Sequence, residues 1–144
     1  MELIIMRGLP GSGKSTYVQG LTKSKIISCS ADDFFNVEGE YKFNPALLGE
    51  AHKACFLKAL EAMQARHSVV VVDNTNVTLW EVAPYLQLGL ALKYSVTVHE
   101  CKASLSTCLQ EGVHGVPENS LTAMRDRWES IPSFWECDVK TKRR

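Results

Sequence analysis

The sequence has no excess of charge of either sign, because its 16 Lys and Arg residues balance 16 Asp and Glu residues. Proteins that bind nucleic acid through their overall field carry an excess of positive charge. The neutral charge therefore removes the simplest argument for a nucleic-acid binder, and any basic surface must be local. The only concentrated basic run is at residues 140–144. We expect it to be a solvated, mobile tail, although it could contact a phosphate backbone.

C-x-x-C pairs, internal repeats, low-complexity segments and long apolar runs are also absent. The five cysteines are odd in number, which favours reduced thiols in a cytoplasmic protein over a disulfide framework or a zinc site. The N-terminal apolar run at residues 3–6 is too short for a signal peptide or a bilayer span, so we expect no membrane association. A chain of 144 residues suits one core, and we predict a single domain over residues 1–144.

Short apolar segments alternate with longer amphipathic ones. The four valines at residues 69–72 are typical of a strand that is covered on both faces, as in a parallel sheet. We predict an α/β fold, a three-layer sandwich with a mostly parallel sheet of four to five strands. The predicted strands cover residues 3–6, 26–29, 69–72 and 94–99. The predicted helices begin near Lys14 and cover about residues 45–65, 78–90, 103–111 and 117–129.

Polar clusters follow the first three predicted strands, at residues 8–16, 30–33 and 73–76. Parallel strands end at one edge of their sheet, and ligands bind outside that edge. We therefore expect the three clusters to form one site.

The first cluster carries a specific motif. Residues 8–15 read G-L-P-G-S-G-K-S, which matches G-x-x-x-x-G-K-[ST] in full between a predicted strand and a predicted helix. Its glycines let consecutive backbone N–H groups point at phosphate oxygens, and the helix N-terminus adds partial positive charge. Lys14 is predicted to bridge the β- and γ-phosphates, and Ser15 is predicted to ligate Mg²⁺.

Carboxylates mark the other two clusters. Asp73 follows the valine strand, where an acid that holds Mg²⁺ is expected, although an acid capping the strand end is the alternative. Asp32 and Asp33 follow Ser30, which could cap a short helix with Asp33 at its third position. That account explains Asp33 better than Asp32, so we favour Asp32 as a base that accepts a hydroxyl proton.

Four blocks together resemble the polynucleotide-kinase-like P-loop kinases. They are R-G-L-P-G-S-G-K-S-T at 7–16, S-A-D-D-F at 30–34, V-D-N-T-N at 72–76, and H-G-V-P at 114–117 with Met124, Arg127, Trp128 and Glu129. The blocks span nearly the whole chain, and their combination is far more specific than the P-loop alone.

The resemblance implies transfer of the ATP γ-phosphate to a hydroxyl, typically the 5′-OH of a nucleic acid, with Asp32 as general base. It implies a helical lid over about residues 103–129, and Ser15 and Asp73 at a Mg²⁺ ion. The nucleotide-binding residues that it implies are Gly8, Pro10, Gly11, Ser12, Gly13, Lys14, Ser15 and Thr16.

The lid departs from the family pattern. The family's lid arginine stands six residues before the H-G-V-P proline, where this chain has Glu111. An arginine that neutralises transition-state charge is worth about 10³–10⁵ in rate. Arg125, Arg127, Arg7 or the basic run could replace it, and we assign Arg127, with Lys14 and Asp32, as catalytic.

The predicted function is therefore an ATP- and Mg²⁺-dependent kinase acting on a hydroxyl, with a polynucleotide 5′-OH as the expected acceptor. Two alternatives stay open at this point. One is a nucleotide-binding module that has lost efficient transfer through the Glu111 change. The other is a kinase for a small hydroxylated substrate, which a neutral chain would suit.

Overall fold

The computed structural model describes residues 1–21 and 25–144. Its main sheet has the strand order β2-β5-β1-β6-β7, and every neighbouring pair runs parallel. A short antiparallel hairpin, β3-β4, stands apart from it. The strands are β1 (Glu2–Arg7), β2 (Ile26–Cys29), β3 (Asn36–Val37), β4 (Glu40–Tyr41), β5 (Val69–Asp73), β6 (Ser95–Lys102) and β7 (Asp138–Arg143).

Helices connect the parallel strands. They are α1 (Lys14–Gln19), α2 (Leu48–Gln64), α3 (Leu79–Ala91), α4 (Leu105–Glu111) and α5 (Glu118–Asp126), with 3₁₀ helices at Ala31–Phe35 and Pro45–Leu47. Helix α3 runs through Pro84 without a break. Its start is fixed by the Glu81 carboxylate, which accepts hydrogen bonds from the backbone N–H and the hydroxyl of Thr78.

The sheet is covered on both faces, which confirms the predicted α/β architecture. Leu3 and Ile5 of β1 lie in the core cluster with α2 and α3, whereas Ile4 and Met6 pack on the side of α1. Successive residues of a strand point to opposite faces, so β1 supplies apolar side chains to both layers. No helix of the described ranges 1–21 and 25–144 is long and apolar enough to cross a membrane.

Strand β6 extends to Lys102 and is buried on both faces, where the sequence predicted an alternating strand that ended at residue 99. The sequence pattern did not predict the extent and burial of β6, because its polar residues are buried with partners from other elements. Glu100 pairs with Arg7, and the His99 ring stacks on Tyr17 at 3.7 Å between centroids.

The prediction of a mobile tail at residues 140–144 is wrong. The structure shows that this basic run is the end of an edge strand. Strand β7 pairs in parallel register with β6, from Thr97 opposite Asp138 to Lys102 opposite Arg143. Charged side chains are common on edge strands because they discourage pairing with another chain. The pairing carries the basic residues to the edge where β1 ends.

Candidate active site

The loop between β1 and α1, residues 8–15, is shaped by glycines at positions that a side chain cannot occupy; we call it the P-loop. Gly11 has φ 81°, and a Cβ there would lie 2.4 Å from the Cys108 carbonyl oxygen. A Cβ on Gly8 would lie 2.4 Å from the Ser12 Oγ and 2.7 Å from the Cys101 carbonyl oxygen. The loop therefore needs glycine for its curvature and for its contact with α4.

Two polar groups in this loop have hydrogen-bonding capacity to spare. The Ser12 hydroxyl is buried and has no hydrogen-bond partner among the residues that the structure describes. The Lys14 Nζ donates to the carbonyl oxygens of Gly8 and Leu9, at 2.8 and 3.1 Å. A buried donor without an acceptor is costly, so the loop is suited to an anion that accepts from both groups.

Asp73 lies half-buried at the end of β5, beside this loop. Burial raises the pKa of its carboxyl group, the positive charge of Lys14 opposes the rise, and Asp32 and Asp33 add to it. Burial likewise lowers the pKa of Lys14, and Asp73 opposes that fall. Each charge acts on the others, so the predicted Lys14, Asp32 and Asp73 share one site at the sheet edge, with Ser15 exposed in the P-loop beside them.

Asp32 stands on the short 3₁₀ helix after β2, and the side chain of Ser30 caps that helix by accepting from the Asp32 backbone N–H at 3.2 Å. The Asp32 carboxylate is exposed. Its Oδ1 accepts a hydrogen bond from the Tyr41 hydroxyl at 3.2 Å, and its Oδ2 lies 3.9 Å from the His114 Nε2. Asp33 points elsewhere, to Lys58 at 3.8 Å. The Asp32 carboxylate is thus oriented without being enclosed.

We call α4, α5 and residues 112–117 between them the lid. Its His114 ring stacks on Tyr41 of the β3-β4 hairpin, with centroids 3.8 Å apart and planes 18° apart. Burial, and then the charge and hydrogen bond of Asp32, raise the pKa of Tyr41 to about 12, so its hydroxyl stays a donor at neutral pH. No sequence motif indicated Tyr41, because the contact depends on a hairpin of two-residue strands.

The two asparagines after Asp73 connect neighbouring elements through hydrogen bonds. Asn74 Oδ1 accepts from the backbone N–H of Ala31 at 2.8 Å, which ties the Asp32 helix to β5. Asn76 adopts a left-handed φ of 47° and donates from its Nδ2 to the Met6 carbonyl oxygen at 2.8 Å. In the sequence, Asn74 and Asn76 contributed only to the motif that carries the resemblance. The structural position of Asn76 could have been inferred from one signal, because asparagine tolerates left-handed backbone just past a strand.

Arg7 is fully buried. Its NH1 donates to the Glu100 carboxylate at 2.6 Å, and its guanidinium lies 4.0 Å from the centre of the Trp128 ring. Its Nε and NH2 donate to the backbone carbonyl oxygens of Asn76, Val77 and Glu129, each at 2.7 Å. Arg7 therefore joins β1, β6 and the segment after α5, and its burial keeps it away from any ligand at the surface.

Arg127 is exposed at the C-terminal cap of α5. Among residues 1–21 and 25–144, its side chain makes no hydrogen bond or ion pair, so its catalytic role stays a prediction. Arg125 is also exposed and lies 3.4 Å from Asp126.

Two cavities flank the P-loop, with volumes of about 330 and 540 Å³. Both are lined by Ser12, Cys101, Arg143 and Arg144. The smaller also contacts Lys142, and the larger Lys102 and Arg125. The neutral chain thus concentrates cations beside its phosphate-binding motif.

Comparison with known proteins identifies the family of the chain. Residues 3–129 match the family described as "AAA domain". The chain is 34% identical over 151 residues to NEDD4-binding protein 2 of Homo sapiens, a match that covers 99% of this chain but only 8% of that protein.

Two solved structures share the fold. The structure of the Pnkp1/Rnl/Hen1 RNA repair complex matches with TM-score 0.70 and 17% identity, over 88% of this chain and 43% of that chain. Chaetomium thermophilum Kti12 in complex with ADP-AlF₃ matches with TM-score 0.69 and 12% identity, over 98% of this chain and 88% of the other. The chain belongs to the AAA domain family and shares the fold of these two solved structures.

Proposed function

We propose that this domain binds ATP with Mg²⁺ and transfers the γ-phosphate to a hydroxyl group, with the 5′-OH of a polynucleotide as acceptor. The observation that carries the proposal is the meeting of three groups at one sheet edge. They are a P-loop whose buried Ser12 hydroxyl has no partner among the described residues, the half-buried Asp73, and the exposed, oriented carboxylate of Asp32.

The nucleotide side of the reaction rests on the P-loop. Lys14 would exchange the carbonyl oxygens of Gly8 and Leu9 for phosphate oxygens, and Ser12 would gain the acceptor that it lacks. Ser15 and Asp73 would hold Mg²⁺, which when bound neutralises charge on the phosphates. Asp73 suits a cation, because burial makes its isolated negative charge unfavourable.

The acceptor side rests on Asp32. Its carboxylate takes the proton of the acceptor hydroxyl as the new O–P bond forms and the bond between the γ-phosphorus and the bridging oxygen breaks, which releases ADP. The Tyr41 hydroxyl holds the base in place by donating to Oδ1, and Oδ2 is left with only His114 near it. A base must lie within hydrogen-bond reach of the proton, and an exposed carboxylate leaves that space open.

A polynucleotide acceptor is supported by the motif blocks of the sequence and by the cations around the two cavities. The fold shared with a component of an RNA repair complex agrees with it. One observation favours a second function, a nucleotide-binding module with weak transfer. The Glu111 carboxylate stands where the family has an arginine, and it would repel the γ-phosphate.

Label transfer from γ-labelled ATP separates the two functions. The domain is incubated with Mg²⁺ and equal concentrations of a 5′-OH oligonucleotide, the same oligonucleotide with a 5′-phosphate, a nucleoside and glycerol. We expect label on the 5′-OH oligonucleotide alone, at a rate that falls steeply with added salt. Label on the nucleoside or glycerol instead would redirect the proposal to small substrates. Measurable ATP binding with no label on any acceptor would support the binding module.

A further inference from the structure

Glu111, the last residue of α4, leaves the site without the cation that the family pattern places there. The structure narrows the replacements. Arg7 is fully buried, and Arg127 lines neither of the two cavities beside the P-loop. Arg125 lines the larger cavity, but its hydrogen bond goes to its neighbour Asp126 and not to the P-loop.

Strand β7 delivers a different arginine. Arg144 follows the last paired residue of β7, and its backbone N–H donates to the Lys102 carbonyl oxygen at 2.8 Å. Its NH1 donates to the carbonyl oxygen of Gly11, at the tip of the P-loop, at 3.2 Å. Its Cδ would lie 3.5 Å from a Cβ on Gly13. The side chain therefore lies along the rim of the P-loop, held at both its backbone and its guanidinium.

The Arg144 guanidinium also contacts Glu111, which stands where the kinases that the sequence resembles have an arginine. Its NH2 lies 3.4 Å from the Glu111 Oε2, and both side chains are partly exposed, at 36% and 50%. An exposed ion pair of this kind contributes little free energy, about 0–1 kcal/mol. A polyphosphate carries several negative charges and accepts well from a guanidinium. It would therefore displace Glu111 easily.

We propose that Arg144 binds the polyphosphate of the nucleotide at the rim of the P-loop, and that Glu111 holds its side chain there until the nucleotide arrives. The proposal rests on the proposed function only for nucleotide binding, not for phosphoryl transfer. In this proposal the cation of the site comes from the end of strand β7 and not from the lid. Glu111 then has a function of its own, because it holds the Arg144 side chain in place before the nucleotide binds.

Nucleotide affinity tests the proposal directly. Calorimetric titrations compare the wild-type domain with Arg144→Gln, Arg144→Lys and Lys140→Gln, each with ATP, ADP and adenosine. Arg144→Gln is expected to weaken ATP and ADP binding by roughly 10- to 100-fold and to leave adenosine binding unchanged. Arg144→Lys keeps the charge but not the planar fork, so it should recover part of the loss. Lys140→Gln removes the same charge four residues away on β7 and should change affinity by less than about twofold.

Glu111→Gln supplies the second arm. It should tighten ATP binding by about two- to fivefold when Arg144 is present, because the guanidinium loses its competing partner. The gain should shrink in the Arg144→Gln background, since the two residues act as a pair.

Two results would overturn the proposal. One is an Arg144→Gln domain that binds ATP as tightly as the wild type. The other is a loss of affinity that is equal for ATP and adenosine, which would assign Arg144 to the base or to the fold. Because no measurement here requires transfer, a selective loss of ATP affinity supports the proposal even if label reaches no acceptor. Unchanged affinity rejects it even if transfer is efficient.

Discussion

The two sides of the candidate site are built differently. The corner where β1 enters the P-loop is buried and held by polar groups of at least three other elements, with Arg7 at its centre. The acceptor side, formed by Asp32, Tyr41 and His114, lies at the surface, where these three residues contact one another. Under the proposed function, the first is a nucleotide side that is formed in advance, and the second is an acceptor side that a substrate can enter.

The largest effect is expected from Arg7→Met. Removing one partner of a buried ion pair leaves Glu100 with an uncompensated charge, and the carbonyl oxygens of Asn76, Val77 and Glu129 lose their donor. The free energy of unfolding should fall by about 3–5 kcal/mol, as measured by urea denaturation. Arg125→Met removes an exposed arginine and should cost about 0–1 kcal/mol. Equal losses for the two variants would mean that the corner is not specially stabilised.

A smaller change in the free energy of unfolding, of opposite sign, is expected from Asp73→Asn. The folded-state pKa of Asp73 lies above its unfolded value, so the ionised carboxylate opposes folding despite Lys14. Its neutral form favours folding below the unfolded pKa, near 4, and that contribution is lost as pH rises through the folded pKa.

Asparagine mimics the neutral form, so the variant should be more stable than the wild type at pH 7, and the difference should vanish toward pH 4. Urea denaturation at both pH values measures it, with the exposed Asp126→Asn as the matched control. A variant less stable than the wild type at pH 7 would show that the attraction to Lys14 outweighs burial.

The smallest effect is expected from Tyr41→Phe, which keeps the ring stacked on His114 but removes the donor to Asp32. An exposed hydrogen bond is worth about 0.5–1.5 kcal/mol, so label transfer should slow by roughly two- to tenfold. ATP affinity should stay unchanged, because the contact belongs to the acceptor side. A loss of ATP affinity in this variant would show that the two sides do not act independently.

The sequence predicts the parts of the site that depend on local pattern and misses the parts that depend on distant partners. The P-loop, Asp73 and Asp32 were predictable because each follows a strand whose apolar pattern is local. The role of Arg7 was not, because its partners lie 69 to 122 residues away along the chain. Strand β7 was missed for another reason. Its sequence D-V-K-T-K-R holds one apolar residue, and it is stabilised by backbone pairing to the edge of β6. The position of Arg144 could not be read before that pairing was known.

The nucleotide side and the acceptor side are expected to act independently, and one paired measurement on Asp32→Asn tests this independence most directly. ATP affinity and label transfer to a 5′-OH oligonucleotide are measured on the same preparation, with the neighbouring Asp33→Asn as the matched control. We predict that Asp32→Asn lowers transfer by about 10²–10⁴ while ATP affinity stays within about threefold, as removal of a general base requires. Asp33→Asn should leave both nearly unchanged, because its carboxylate lies against Lys58. Transfer by Asp32→Asn at the wild-type rate, or a parallel loss of ATP affinity, would contradict the account.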